Sequence, residues 1–331
     1  MKYNIKPIFI FGIPKSGSTL LNSLFDGHEN ISTFPVESRV LKRLYPLIKD
    51  IQSIEELIDK IVTKTGFASF NPRVNYFKVE SNFKKKEYIE LFRYPDFFSS
   101  LKKNFKKINI KKIDKIFEAI AIAIAEERKQ DITKLKYYVA KTPENEFMFN
   151  IIKKEFKEYK ILHIIRDPRD NLVSYKKHFE KKYGYFYYGF IDTWVQSCKI
   201  AKREENYKNY KIVRYEDLVR NSKRVMIDIV NFLGINYSDV LLRPTILGSN
   251  WKGNSTDYKE FKGISNDQVG KYKEKLDKNI LILLEDLLKI KKIGLFGFLR
   301  NFKGLVLKEK IRFLYFKIKY RKIMLPYKYQ K

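Results

Sequence analysis

The sequence predicts an α/β protein built on a P-loop-like parallel sheet flanked by helices: one domain over residues 1–290, then a basic extension over 291–331. Three observations predict it. Short apolar runs such as IFIF at 8–11 and KILHII at 160–165 have strand length and no polar alternation, as strands covered on both faces do. Such runs alternate with helical stretches, which calls for crossover connections between parallel strands. The first run leads into a glycine-bearing turn and then an apolar helix start, the layout of a phosphate-binding loop.

In chain order, strand, loop and helix occupy roughly residues 7–27, with Gly12 and Gly17 permitting backbone angles a side chain resists and a helix beginning near Ser18. Ser53 with Glu56 forms a capping box. Residues 66–110 lack periodicity, with Pro72 and Pro95 as breaks and Lys84, Lys85 and Lys86 as a charge run. Ile113, Ile116, Phe117, Ile120 and Ile124 share one helical face. A strand over Tyr137–Ala140 ends at Lys141, with Thr142 and Pro143 as N-cap and first helical residue. After the strand over Lys160–Ile165, Pro168 disfavours helix at Asp167, so a helix begins near Arg169 or Asp170. A fourth strand leads into Val213 and Arg214, and the remaining helices fill 144–157, 170–180, 188–204, 221–233 and 266–290. Ligands bind beyond the carboxyl ends of such strands, where Lys15, Lys141, Arg166 and Tyr215 all fall.

The first loop departs from the nucleoside-triphosphate pattern. Gly12 and Gly17 have its spacing, but Ser18 follows the second glycine, and the lysine is Lys15, inside the loop. The second motif, Arg166-Asp167-Pro168-Arg169-Asp170-Asn171-Leu172-Val173-Ser174, places an arginine at a strand end and a serine in the next helix, so a guanidinium and a hydroxyl can converge on one phosphate. Each motif alone also fits a plain turn. Together they suit a nucleotide with phosphates at both ends of its ribose.

Pro14-Lys15-Ser16-Gly17-Ser18-Thr19 resembles the 5′-phosphosulfate loop of sulfotransferases, which use 3′-phosphoadenosine 5′-phosphosulfate (PAPS), and Arg166 with Ser174 resembles their 3′-phosphate motif. Tyr215 in Tyr-Glu-Asp-Leu, Ser255 in Gly-Asn-Ser-Thr and Lys271 in Val-Gly-Lys-Tyr extend the resemblance to segments that bind or close over the nucleotide. The layout, with Glu37-Ser38-Arg39 downstream of the loop, is most similar to the branch of protein tyrosine sulfotransferases and bacterial-type enzymes. In the small-molecule cytosolic branch a histidine base follows the Lys-Thr pair; here that position is Pro143. The resemblance implies PAPS as sulfuryl donor, Lys15 and Lys141 as cations on the transferred group and Glu37 as base, with no metal. The spacing to Glu37 is one residue longer than in the tyrosine-sulfating branch. The alternative for Glu37 is a simple ion pair with Arg39 or a surface lysine.

Formal net charge is +30 over 331 residues, which favours an anionic ligand, polyanion or anionic membrane surface. The single cysteine, Cys198, excludes an intramolecular disulfide, and His28, His163 and His178 form no metal-ligand spacing. His163 sits in an apolar strand and reads as structural. No signal peptide or long apolar run is visible, so the expectation is a cytoplasmic protein, at most peripheral at a membrane. From residue 291 onward, thirteen Lys or Arg and one acid, Glu309, alternate with aromatics, which suits either an anionic lipid surface or a helix pair packed on the core. Three functions compete: a sulfotransferase acting on a hydroxyl (glycan, lipid-linked or tyrosyl), a P-loop kinase with Asp167 as metal ligand, and a non-catalytic basic module. No nucleic-acid motif is present. Loops at 38–110 and 180–195, including Tyr183, Tyr185, Phe186, Tyr187 and Tyr188, are where an acceptor is expected.

Overall fold

The structure is a computed structural model that describes residues 4–71, 90–179, 186–253 and 260–276, with 278, 281 and 284 beyond them; for 177–179 and 186–189 it describes the backbone alone. Ser255, Tyr183 and Tyr185, the side chains of Phe186, Tyr187, Tyr188 and His178, the boundary expected at 290 and the extension over 291–331 lie outside the described residues. The chain divides into two units, Met1–Ile165 with Glu205–Ser265, and Arg166–Glu204 with the residues from Asn266 onward.

The first unit holds a five-stranded parallel sheet in the order β2-β3-β1-β4-β5, comprising β1 (Lys6–Phe11), β2 (Ile31–Thr33), β3 (Tyr137–Lys141), β4 (Lys160–Ile165) and β5 (Tyr210–Arg214). The apolar run of β1 explains its central place. Ile8 to Phe11 are wholly buried, and the strand pairs with β3 on one side and β4 on the other, Ile8 lying opposite both Val139 and Lys160. Phe9 meets Phe117 and Phe156 edge-on, with ring centroids 5.7 and 5.1 Å apart, a favoured aromatic geometry.

The helices of this unit are α1 (Ser18–Ser23), α2 (Val40–Arg43), α3 (Ile54–Lys64), α4 (Tyr94–Phe105), α5 (Ile113–Glu127), α6 (Phe149–Glu155), α9 (Tyr215–Arg220) and α10 (Ser222–Leu233). Ser53 caps α3 by accepting from the Glu56 amide at 3.0 Å, as its capping box predicts. In α5 the isoleucines alternate with Ala119, Ala121, Ala123 and Ala125, so nearly its whole circumference is buried, packed on α4 and the sheet. His163 is fully buried, bonded through Nδ1 to the Tyr210 hydroxyl, and burial lowers its pKa to about 3, so it is a neutral core residue.

Several expectations fail for local reasons. Pro95 does not break structure: it occupies the first turn of α4, where its missing N–H has no acceptor to lose. Thr142 and Pro143 do not begin a helix. Glu144 takes a left-handed φ of 67°, a 3₁₀ turn follows over Asn145–Met148, and α6 starts only at Phe149. Strand β2 has just three residues, too few to show a period.

The second unit contains α7 (Pro168–Phe179), α8 (Phe186–Glu204) and α11 (Tyr272–Lys275). Helix α7 starts at Pro168, one residue ahead of expectation, and the helix expected from 266 begins at Tyr272 after a turn at Gly270 with φ 79°. Buried Cys198 lies on α8, and Trp194 of that helix donates from Nε1 to the Arg166 carbonyl at 3.1 Å. No helix among the described residues is long and apolar enough to cross a membrane.

Candidate active site

In the first unit, the order β2-β3-β1 sets three strand ends side by side: Glu37 follows β2, Lys141 ends β3, and the loop bearing Lys15 follows β1. Chain segments distant in sequence thereby deliver two cations and a carboxylate to one edge, the position where open α/β sheets bind ligands.

The loop is shaped by backbone angles. Gly12 has φ 145°, Gly17 has φ 100°, and Lys15 is itself left-handed at φ 68°, a conformation that costs a non-glycine residue about 1–2 kcal/mol. Both peptide groups of Gly12 are tied to the segment after β3: its N–H donates to Glu146 Oε2 at 3.1 Å, and its carbonyl accepts from the Glu144 amide at 3.0 Å. A Cβ at Gly17 would stand 2.4 Å from Cδ2 of the Tyr215 ring, so Tyr215 supports the loop by packing under this glycine. Pro14 is half-buried, Ser18 is buried in the first position of the six-residue α1, and the buried Ser16 hydroxyl has no hydrogen-bond partner among the described residues. A buried hydroxyl in that state suits an incoming anion oxygen.

Lys141 joins the parts. It is 4% exposed, and its Nζ donates to Thr19 Oγ1 and to Glu37 Oε1, both at 3.2 Å. The other carboxylate oxygen, Glu37 Oε2, accepts from the Arg39 guanidinium at 3.0 Å. Burial pushes the Glu37 carboxyl up, but the charges of Lys141 and Arg39 and their hydrogen bonds outweigh it and hold the pKa down to about 2. Burial is also the main reason that Lys15 falls to about 8; the charge of Glu37 opposes this and that of Lys141 adds to it. Glu37 therefore pairs with Arg39 and, in addition, with a lysine that is buried rather than on the surface.

Two supports escaped the sequence reading. Thr142 accepts from the Arg39 amide at 2.9 Å through Oγ1, which also contacts Ser38 Oγ at 3.2 Å, so it braces the segment after β2 and caps nothing. A Cβ at Gly66 would fall 1.7 Å from the Glu37 carbonyl oxygen, so only glycine permits this approach. Its signal in sequence is a lone glycine, indistinguishable from any other turn glycine. His28 is no alternative base on geometry: its Nδ1 accepts from the Asn30 amide and its Nε2 donates to the Asn236 carbonyl, at 3.2 and 3.0 Å.

In the second unit Arg166 and Lys271 both reach Gln268, Arg166 to its backbone oxygen and Lys271 to its side-chain oxygen, each at 2.6 Å. Asp170 fixes the same segment by accepting from the amides of Gly270 and Tyr272 at 2.7 and 2.9 Å. Ser174 is buried on α7, eight residues after Arg166. Asp167, the carboxylate a kinase reading requires, is engaged by the Arg169 guanidinium at 3.0 and 2.7 Å.

A model of the sulfotransferase family matches residues 7–239, which include Lys15, Glu37, Lys141, Arg166, Ser174 and Tyr215. The chain belongs to the sulfotransferase family. Among solved structures, the sulfotransferase domain from the curacin biosynthetic pathway is 16% identical, covers 87% of this chain and 99% of its own, and superposes with a TM-score of 0.51, which shows the shared fold. The sulfotransferase domain of a Synechococcus olefin synthase is 18% identical over 86% of this chain and 96% of its own, with a TM-score of 0.49. A mouse sulfotransferase complexed with PAP is 14% identical over 89% of this chain and 87% of its own, with a TM-score of 0.46. A search of curated protein sequences finds no match.

Proposed function

We propose that the chain is an enzyme that transfers a sulfuryl group from PAPS to a hydroxyl on a glycan or lipid-linked acceptor. One observation carries the reading: Lys141, at the end of β3, is held jointly by Thr19 behind the phosphate loop and by the Glu37 carboxylate. A single cation thus links the place where a donor phosphosulfate would lie to a group that can accept a proton.

Lys15 and Lys141 would neutralise charge on the sulfuryl group and the leaving phosphate, with Ser16 and the loop amides on the remaining oxygens. Fixed donors of this kind are each worth roughly 10²–10³ in rate. Arg166 and Ser174 would hold the 3′-phosphate, and Tyr215 would keep the loop in place. As the resemblance implies, Ser255 and Lys271 would bind the nucleotide. PAPS supplies the activated sulfuryl group. The acceptor oxygen bonds to sulfur as the sulfur–phosphate oxygen bond breaks, adenosine 3′,5′-bisphosphate leaves, and Glu37 takes the hydroxyl proton. At a pKa of about 2 Glu37 is a charged but weak base. Attraction of Lys141 toward the donor's anionic group would loosen its hold and raise basicity when it is needed.

The glycan or lipid-linked class is preferred over tyrosine because tyrosine-sulfating enzymes resemble this chain in layout but are disulfide-bonded, whereas this chain has one cysteine. A kinase reading is disfavoured by the pairing of Asp167 with Arg169. The basic extension over 291–331 is proposed to rest on anionic lipid. Titration calorimetry decides the nucleotide class: adenosine 3′,5′-bisphosphate should bind at least tenfold tighter than ATP, about 1.4 kcal/mol, and preference for ATP would refute the reading.

A further inference from the structure

We propose that Arg39 is a positioning residue for the reaction: acting through Glu37, it occupies Oε2 so that Oε1 is the oxygen offered first to Lys141 and then to the acceptor hydroxyl. This rests on the sulfuryl-transfer reading of the site.

The geometry is specific. The guanidinium meets Oε2 at 3.0 Å while Lys141 takes Oε1 at 3.2 Å, so each carboxylate oxygen has its own cation. Arg39 is held independently at its backbone, where the amide donates to Thr142 Oγ1 at 2.9 Å. Its φ of 53° is left-handed, a conformation a non-glycine residue keeps only where its surroundings enforce it. Ser38, between the two, donates its amide to the Lys141 carbonyl at 3.1 Å, and the Ser38 carbonyl accepts from the Gly66 amide at 3.2 Å. Residues 37–39 are thus fastened to β3 and Gly66 by backbone bonds, leaving the arginine side chain to set the carboxylate.

Arg39 and Glu37 side chains are 19% and 29% exposed, so the pair is largely shielded from water, where opposite charges act strongly on each other's ionisation. Among the described residues, Lys141 from β3 and Arg39 from its own segment lower the Glu37 pKa, and Glu37 in turn acts on Lys15 in the loop after β1. When Lys141 is drawn toward an anionic donor, Arg39 still holds the carboxylate in its orientation and keeps it deprotonated.

The test uses the full-length, nucleotide-free protein, with glutamate side chains carbon-13 labelled and the Glu37 signal assigned by its loss in Glu37→Gln. The wild-type carboxyl should titrate near pH 2, observed as the upper limb of its curve. Arg39→Gln should raise the midpoint by about one to two pH units, the usual effect of removing an opposite charge at this range. Arg39→Lys, which keeps the charge but loses the fork, should fall between. Should Arg39→Gln not fold, Arg39→Lys carries the same comparison. Calorimetry with adenosine 3′,5′-bisphosphate should give an affinity within about twofold of wild type for both variants, because Arg39 acts on the base and not on the nucleotide. An unchanged Glu37 midpoint overturns the proposal. A tenfold or greater loss of nucleotide affinity also overturns it, by making Arg39 a nucleotide ligand. If wild-type protein binds no nucleotide, the functional reading fails while the carboxylate titration still reports on Arg39.

Discussion

Raising the pH should switch off the phosphate loop through Lys15. Burial, with the neighbouring charge of Lys141, brings this lysine down from 10.5 to about 8 despite the favourable charge of Glu37. The free protein therefore carries a charged Lys15 at pH 7 and a largely neutral one at pH 10. An anionic nucleotide binds the charged form, so its affinity should be flat below pH 8. Above it, affinity should fall by up to about tenfold per pH unit until the lysine's pKa in the complex is reached, about 2.7 kcal/mol by pH 10. Calorimetry with adenosine 3′,5′-bisphosphate between pH 6.5 and 10 measures this. Lys15→Arg should flatten the curve because guanidinium stays charged, and Lys15→Met should bind weakly at every pH. The same shift affects stability with a definite sign. The unfolded chain binds the proton more tightly between pH 8 and 10.5, so the folded state is penalised below pH 8 and relieved as pH rises through that window. The full shift corresponds to about 3 kcal/mol as an upper bound, so Lys15→Met should melt several degrees higher than wild type at pH 7. A wild-type affinity that stays flat to pH 10, or one that falls equally in Lys15→Arg, would refute the reasoning.

Other perturbations test the remaining parts. Gly66→Ala places a Cβ 1.7 Å from the Glu37 carbonyl, so it should lower the melting temperature and shift the Glu37 titration, whereas alanine at Gly263, where a φ of 152° strains the backbone but a Cβ meets no described atom within 4 Å, should leave that titration in place. Arg166→Ala should weaken adenosine 3′,5′-bisphosphate by about 2–5 kcal/mol, the scale for removing one partner of a desolvated charge pair, and adenosine 5′-phosphate far less; equal losses would remove Arg166 from the 3′-phosphate. Glu37→Gln should reduce turnover by about 10²–10⁴ with nucleotide affinity near wild type, measured once an acceptor is in hand. A chain ending at residue 290 should retain nucleotide binding and lose sedimentation with anionic vesicles at low salt, since each basic residue near such a surface contributes about 1 kcal/mol; loss of solubility with unchanged lipid binding would mean the extension packs on the core.

The sheet was legible where burial is uniform. Strands β1, β3 and β4 are apolar runs with glycine or charged residues at their ends, whereas β5 (YKIVR) is a partly buried edge strand and β2 is too short to announce itself. Proline misled twice, because its effect depends on register. At Pro95 it opens a helix, and after Thr142 the left-handed Glu144 delays one. Lys15, Glu37 and Lys141 were each visible as motif residues, but their joint ionisation was not. It depends on β2, β3 and β1 lying adjacent, and Glu37 and Lys141 are 104 positions apart. Thr142 and Gly66 act through backbone contacts, for which residue type alone gives no signal.

The most direct measurement is transfer of sulfur-35 from labelled PAPS to hydroxyl-bearing components of the native cell extract, run with wild-type protein and with Lys15→Met. The account predicts that label enters a glycan or lipid fraction with wild-type protein and that entry falls by roughly 10²-fold or more in the variant. Undiminished transfer by Lys15→Met would contradict it, and so would transfer of the γ-phosphate of labelled ATP in place of sulfur.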